Sequence, residues 1–384
     1  MRSARGTVMT ATEAPTGSEL KVRPQPSPAR RKHDRVGVAG LLGLVVAVGG
    51  WVLWRTGPGK VSFLDLFEST ARHWPSAPLA ADGQYILRQP LGQILYRLLP
   101  VHGVTVFLGL HALCLLGSGL LLATWLCRRL GHRSGLVAGM VVALAPISAV
   151  LLVSVGMYDA FSVLVWVGVL MSLDRRVGWQ LAAGVLAGVQ DFEQMAVGLV
   201  LIALLPQLAR SVGLRPRIAY LLSGVIAGKL ALEAYLHLAG AGSGSRLSYL
   251  ARWDTLSWVL GSATANGPLL VWSALAGLWG FALKAAYDSW GGWSGQQRGR
   301  VLLAVGLWLG TAALSADHTR VLTLTSFPLV VMGAMAIAQR WPDLQVLARL
   351  PQTWLLVLAP PVILADYTTV QMGIKPGTWG LWIF

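Results

Sequence analysis

Carboxylates and basic side chains interrupt this mainly apolar chain at a few places, and the densest group follows the first apolar segment. It contains Asp65 and Glu68, then the string Asp82-Gly83-Gln84-Tyr85, then Arg88. A carboxylate within hydrogen-bond reach of a hydroxyl takes its proton as that hydroxyl attacks, so an acid here is a candidate general base. Asp-Gly is also a common turn pair, and a solvated turn at Asp82 is the alternative.

A second group of polar residues lies between two apolar runs late in the chain, where Asp317 and His318 precede Arg320. A guanidinium contacts phosphate oxygens through two hydrogen bonds and stabilises charge that develops on a leaving group. Arg320 is therefore the candidate phosphate contact, with Asp317 and His318 beside it. A structural ion pair between Asp317 and Arg320 is the alternative, although charges crowded between apolar helices favour a functional role.

Three further places complete the candidate site. Asp159 begins an apolar run, where a carboxylate is favoured by the helix dipole. Asp191 and Glu193 separate two apolar runs, and either substrate binding or helix capping by Asp191 accounts for them. Lys229 and Glu233 are four residues apart and so share one helix face. That pair predicts a structural ion pair, a polar wall of the pocket or part of a proton path.

The sequence contains no residue pattern typical of a metal site or of a nucleotide-binding loop. The seven His residues and the two Cys residues, Cys114 and Cys127, show no spacing typical of a metal site. No glycine-rich phosphate loop of the P-loop type occurs. We therefore identify no metal-ligating residues and no certain cofactor, leave a requirement for a divalent metal open, and do not expect nucleotide hydrolysis.

The composition is that of a membrane protein. Hydrophobic residues make up 55% of the 384 residues and charged residues only 12%, where a soluble domain carries about a quarter. The net charge is +15, but the basic residues are concentrated in the first 35 residues and in short loops between apolar runs. This distribution is the positive-inside pattern, so we predict contact with a lipid bilayer and no nucleic-acid partner.

The apolar runs predict an all-α bundle of about eleven transmembrane helices. Residues 1–35 are predicted to form a disordered basic cytoplasmic tail, and residues 36–384 the transmembrane domain. The first span covers about 36–54, and the long loop 55–102 contains amphipathic pieces at 63–73 and 91–99 that suit an interface. The other runs are 103–126, 135–153, 159–173, 178–189, 194–209, 217–238, 267–287, 300–315, 321–338 and 353–368. The run 178–189 is short enough to cross only half of the membrane.

The basic residues predict a cytoplasmic N-terminus and an extracytoplasmic C-terminus. In that orientation most acids fall at the outer ends of different segments. We therefore expect one extracytoplasmic pocket to gather them. The acids concerned are Asp65, Glu68, Asp82, Asp159, Asp191, Glu193, Glu233, Asp254, Asp317 and Asp366.

The first-loop string Asp82-Gly83-Gln84-Tyr85, followed by Arg88 and then Gln93-Ile94-Leu95-Tyr96, resembles a pattern in a group of bacterial membrane proteins that are similar to the GT-C glycosyltransferases. The resemblance covers the first loop and the general layout, about a quarter of the chain. It implies a GT-C-like fold in the bacterial plasma membrane and a first-loop acid as catalytic base, here Asp82. This chain lacks the paired acids of that family's loop, so Asp65 or Glu68 could hold the role instead.

The resemblance also implies the reaction. GT-C enzymes transfer a sugar from a polyprenyl-phosphate or diphosphate donor, and the acceptor would be a glycan, a lipid or a protein. Two other functions stay open: a transporter or flippase of a lipid-linked glycan or small solute, and a polymerase or ligase of lipid-linked saccharides. The predicted substrate-binding residues are Tyr85, Arg88, Asp159, Asp191, Glu193, Lys229, Glu233, Asp317, His318 and Arg320.

Overall fold

The protein is described from a computed structural model. The structure describes residues 43, 46, 47, 49–51, 64–77, 86–205, 214–241, 253–265, 267–313, 315, 318–359, 362–365, 369–372 and 381–383.

Most of the described residues are helical. In chain order the helices are α1 (Leu64–His73), α2 (Pro90–Arg97), α3 (Val104–Leu130), α4 (His132–Leu144), α5 (Pro146–Val153), α6 (Asp159–Ser172), α7 (Val177–Leu204), α8 (Leu214–Leu238), α9 (Trp253–Ala265), α10 (Gly267–Leu275), α11 (Trp279–Trp290), α12 (Gly295–Ala313), α13 (His318–Arg340), α14 (Leu344–Ala348) and α15 (Pro351–Leu358). A short antiparallel sheet follows, in the order β1 (Val362–Ala365), β2 (Thr369–Met372) and β3 (Leu381–Ile383).

The two predicted amphipathic pieces of the first loop are the helices α1 and α2. Proline stands at the first position of α2, where its missing N–H costs nothing. The two helices pack on each other and on the starts of α3 and α6 through an apolar cluster that includes Phe67, Tyr96, Phe107 and Tyr158. The first loop is therefore folded onto one end of the bundle.

Among the described residues, five helical stretches are long and apolar enough to cross a membrane: α3, α7, α8, α10 together with α11, and α13. The bent pair α4 and α5 makes a sixth if it counts as one span. The bend of 59° falls at Pro146, which cannot donate the hydrogen bond that would continue α4. The helical membrane class is confirmed, whereas the predicted count of eleven spans is not.

One predicted boundary is confirmed and another is wrong. The runs 178–189 and 194–209 correspond to two helical segments of α7, which meet at a kink where the backbone leaves the helical conformation at Asp191 (φ −161°, ψ 80°). The last predicted run, 353–368, is helical only as far as Leu358, and Val362–Ala365 is a strand. Two prolines follow Ala359 in the sequence and cannot extend the hydrogen bonding of α15, which explains the early end.

Helix α6 is the centre of the bundle. Its side chains are buried on nearly all sides, and Phe161, Trp166 and Leu170 are each no more than 1% exposed. It packs against α3, α7 and α13. Because α6 begins at Asp159, this central helix fixes one carboxylate in the middle of one end of the bundle.

Four glycines form a seam between α7 and α8, which we call the glycine seam: Gly184 and Gly188 on α7, and Gly224 and Gly228 on α8. A Cβ at any of them would overlap backbone atoms of the other helix. Each pair is a Gly-x-x-x-Gly motif, the pattern by which membrane helices approach closely. The motifs are visible in the sequence, but our sequence analysis did not use them.

The two helices of the seam run in the same direction. Gly184 faces Leu221, and Gly188, one turn later, faces Val225, one turn later on the partner helix. The chain must therefore return between the first segment of α7 and the start of α8, and the break at Asp191 is where the first segment ends.

One end of the bundle gathers basic residues, and we call it the basic end. Arg129 at the end of α3 contacts Asp174 after α6, and Arg217 at the start of α8 lies 3.8 Å from the same carboxylate. The Nη1 of Arg217 also donates to the carbonyl oxygen of Leu173 at 2.7 Å. Asp159 starts α6 at the opposite end, which we call the site end.

Candidate functional site

An ion pair joins the first turns of α6 and α13 at the site end. The Nε of Arg320 lies 3.6 Å from Oδ2 of Asp159, and their side chains are 13% and 1% exposed. The Nη1 of Arg320 also lies 2.8 Å from the sulfur of Met157. His318, the first residue of α13 and two residues before Arg320, is buried. The structure thus brings together Asp159 and Arg320, two residues that the sequence analysis assigned to one site.

A tight turn before α6 presents these groups. Gly156 has φ +105°, a conformation that favours glycine, and Val155 and Met157 form a bridge around it. The hydroxyl of Tyr158 donates to the carbonyl oxygen of Phe67 in α1 at 3.1 Å. The first-loop helices therefore rest directly on the turn that carries Asp159.

An apolar cavity of about 390 Å³, which we call the apolar groove, lies beside α6. Val163, one turn after Asp159, lines it, as does Val155, two residues before Met157. Phe327 lines it too, two turns after Arg320 on α13. Nearly all of its other lining residues are apolar and belong to α3, α4 and α5, together with Val46, Gly49 and Gly50. Asp159 and Arg320 do not line the groove, but each lies on a helix that does, one and two turns from its nearest lining residue on that helix.

The break in α7 is fastened to both the first loop and α6. The amide of Gln89 donates to Oδ2 of Asp191 at 3.0 Å, and the backbone N–H of Leu91 donates to Oε1 of Gln190 at 3.2 Å. The Nε2 of Gln190 in turn lies 3.4 Å from Oγ of Ser162 in α6. Gln190 therefore links the break at Asp191 to the first turns of the helix that Asp159 begins.

A charged network lies beside this break. Arg88 donates two hydrogen bonds to Glu233 of α8, from Nε at 2.7 Å and from Nη2 at 2.9 Å. The Nζ of Lys229 lies 2.9 Å from the same carboxylate and 3.8 Å from Glu193. The predicted Lys229–Glu233 pair on one helix face is confirmed. The bond from Arg88 to Glu233 joins residues 145 positions apart and was not predicted.

Glu68, one of the alternative bases, is already engaged. It is buried and accepts hydrogen bonds from the hydroxyl of Tyr96 and, at 2.6 Å, from Arg72. Burial raises the pKa of Glu68, but these hydrogen bonds and the charge of Arg72 outweigh it, so the pKa lies below its ordinary value. Asp65 is exposed in the first turn of α1. Of the other predicted site residues, Asp82, Tyr85 and Asp317 lie outside the described residues.

Uncharged amides are the site residues that sequence reasoning missed. Gln89, Gln190 and Gln194 are each no more than 7% exposed. Within the described part of the chain, neither amide atom of Gln194 has a hydrogen-bond partner. A buried amide without a partner is costly, so a glutamine inside an apolar run was the available signal.

Metal ligation finds no support in the described ranges, where no three His, Cys, Asp or Glu side chains are placed to hold an ion.

In comparisons with known proteins, no family model, no curated protein and no solved structure matches this chain. The geometry of the site end is therefore the basis on which a function can be assigned.

Proposed function

We propose that this chain is a GT-C-like membrane glycosyltransferase that moves a sugar from a polyprenyl-phosphate donor to an acceptor outside the cytoplasm. The observation that carries the proposal is that the mostly buried guanidinium of Arg320 lies on α13, two turns before Phe327, which lines the apolar groove. A lipid-linked sugar has the matching form, an apolar chain joined to a phosphate. The groove would hold the first part of the prenyl chain, and the guanidinium would contact the phosphate.

The chemistry of the leaving group supports this assignment. When the bond between the sugar and the lipid phosphate breaks, negative charge develops on the phosphate oxygens. A buried guanidinium with fixed donors stabilises that charge more than water does. Arg320 is held by Asp159 and is mostly buried, so its direction is fixed before the donor binds.

The acceptor hydroxyl needs a base, and Asp82 is the proposed one. The carboxylates of Asp159, Asp191 and Glu233 all have cationic or amide partners at the site end. Glu68 is held by Tyr96 and Arg72. Asp82 lies four residues before Ile86, on the segment between two parts of the loop that contact the bundle.

We propose that the site end faces away from the cytoplasm in the bacterial plasma membrane. The clustering of Arg129 and Arg217 at the basic end supports this orientation, because such residues accumulate on the cytoplasmic side. It leaves the N-terminus cytoplasmic. The acceptor, whether glycan, lipid or protein, then meets the donor at the outer face.

Purified protein in lipid nanodiscs tests the proposal with polyprenyl phosphates that carry a radiolabelled hexose and with an envelope extract as acceptor source. We expect transfer of label and release of polyprenyl phosphate. Asp82→Asn should lower the rate by about 100-fold or more, the usual contribution of a general base. Arg320→Ala should lower both rate and donor affinity, and Arg320→Lys should recover part of the affinity.

The control is Arg349→Ala, which removes an exposed arginine after α14 and should leave transfer unchanged. Full activity in a well-folded Asp82→Asn variant would remove the proposed base. Movement of intact labelled lipid across a vesicle without any transfer would overturn the enzyme assignment in favour of a flippase.

A further inference from the structure

The geometry points to Arg88 and Gln89 as positioning residues, which hold the part of the first loop that follows Asp82 in the sequence onto α7 and α8. The sequence pattern predicts Arg88 as a substrate-binding residue instead. The inference rests on the proposed function in one respect, the role of Asp82 as base. The attachment itself is a property of the fold and can be measured without any reaction.

Two donors of Arg88 are bonded to one carboxylate. Its Nε and Nη2 both reach Glu233, at 2.7 and 2.9 Å, which is the paired geometry of a strong guanidinium–carboxylate contact. The side chain of Arg88 is only 10% exposed. A residue so enclosed and so engaged is better suited to fixing the backbone than to meeting a substrate.

The next residues extend the attachment to α7. Gln89 bonds to Asp191 and the backbone N–H of Leu91 bonds to Gln190, so both contacts fall at the break in α7. A break leaves backbone and side-chain groups that a regular helix would satisfy internally. Three residues of the stretch 88–91, Arg88, Gln89 and Leu91, thus bind two helices close to one another.

The other side of the Asp82 segment is anchored to α8 as well. The ring of Trp74 stacks on Tyr235 of α8 with the centroids 5.4 Å apart, and its Nε1 donates to the carbonyl oxygen of Leu87 at 3.1 Å. Trp74 and Leu87 share an apolar cluster with Leu232 and Leu236 of α8. Asp82 therefore lies, in sequence, between two anchors on the same helix.

Loss of Arg88 and loss of Glu233 should have different effects, because Lys229 also pairs with Glu233. Two cations, Arg88 and Lys229, share the carboxylate of Glu233, which is 36% exposed. If Arg88 is removed, Glu233 keeps Lys229 as a partner, so the bundle should fold while the loop loses its hold. If Glu233 is removed, two cations are left near each other, so that change should cost more.

The first test measures attachment by the distance between two spin labels. The labels replace Leu98 after α2 and Leu238 at the end of α8, both strongly exposed, in a variant whose Cys114 and Cys127 are replaced by Ala. With Arg88 and Glu233 unchanged, we expect a narrow distance distribution between the two labels. The distribution should be broad in Arg88→Glu and narrow again in the charge exchange R88E/E233R. In that exchange Lys229 retains Glu193 as a partner.

The second test separates positioning from binding by kinetics. A positioning role predicts that Arg88→Glu lowers kcat by up to about 100-fold, as small misplacements do, and leaves the donor Kd within about twofold. The charge exchange should recover most of kcat. A substrate-binding role predicts a raised donor Kd that the exchange does not restore.

The matched control is the exchange K284D/D288K, which inverts an exposed ion pair on α11. It should change neither the distance distribution nor the kinetics. An unchanged distribution in Arg88→Glu, or a broad one that the exchange leaves broad, would overturn the inference. If the wild-type protein transferred no sugar, the proposed function would fail, but the distance measurement would still decide the attachment.

Discussion

Asp159 and Arg320 lie in the first turns of two helices whose N-terminal ends meet, with Oδ2 and Nε 3.6 Å apart. Each helix N-terminus carries partial positive charge from its unpaired N–H groups. One carboxylate therefore faces two helix ends and a guanidinium. A guanidinium and two helix N-termini around one carboxylate suit an anionic headgroup.

The Asp159–Arg320 pair should respond unequally to the loss of either charge. Arg320→Met leaves a carboxylate that is 1% exposed without its cation, and removal of one partner of a buried pair typically costs about 3–5 kcal/mol. Asp159→Asn should cost less, because Arg320 is more exposed. Denaturant unfolding in detergent measures both. Equal losses would show that the cation does not hold the carboxylate.

Larger side chains at two glycines should fill part of the groove without disturbing the fold. Gly119 and Gly139 line it, and a Cβ at either has no atom within 4 Å. Leucine at these positions should weaken binding of polyprenyl phosphate by roughly tenfold, if it displaces about two methylenes of the lipid at ~0.8 kcal/mol each.

Gly117→Leu is the matched control, since Gly117 has the same open space but does not line the groove. Native mass spectrometry with titrated lipid measures the affinities. Undiminished binding in both lining variants would exclude this groove as the lipid site.

The Glu68–Tyr96 bond should make stability depend on pH in acid. The pKa of Glu68 is lower in the folded protein than the ordinary 4.5, so its contribution is fully present above 4.5 and is lost as pH falls through the lower folded value. Tyr96→Phe removes the hydrogen bond to Glu68, together with the one that the backbone N–H of Gly103 donates to the same hydroxyl, and should flatten this loss. Thermal unfolding between pH 7 and pH 3 measures it. A steeper acid loss in Tyr96→Phe would contradict the assignment.

The glycine seam should tolerate no added methyl group. Gly188→Ala places a Cβ on the carbonyl of Val225 and should destabilise by about 1–3 kcal/mol or prevent folding. Gly178→Ala, near the start of the same helix with open space around it, should be neutral or stabilise by up to about 1 kcal/mol. Comparison of the two melting temperatures tests this. Similar values would mean that the helices separate at little cost.

Thr325→Val should reveal whether the polar atoms near Gly198 are solvated. The hydroxyl of Thr325 has no hydrogen-bond partner among the described residues, and it is fully buried. A dry, unpaired hydroxyl predicts that valine raises stability by about 1 kcal/mol. A loss of stability would show that the hydroxyl binds a water molecule or a ligand group.

Features that depend on local pattern were the ones the sequence predicted well. The amphipathic helices α1 and α2, the start of α6 at Asp159 and the Lys229–Glu233 pair all follow from spacing within one or two turns. The identity of Glu233 as the partner of Arg88 depends on how two distant segments pack, and no local pattern encodes that.

Of the two boundaries that differ in character, one was predicted and one was missed, each for a physical reason. Hydropathy falls at the charged residues around Asp191, and the structure has two helical segments that meet at a kink there. The last run looked continuous because valine and isoleucine are as apolar in a strand as in a helix. The base, Asp82, stays a prediction because it lies outside the described residues.

The parallel course of α7 and α8 has a consequence for how the chain is made. The glycine seam cannot form until the second segment of α7 and then α8 have been synthesised. Until then, the backbone surface at Gly184 and Gly188 faces lipid or the insertion machinery. Substitutions there should thus reduce the yield of correctly assembled protein in cells even where the surviving molecules melt normally.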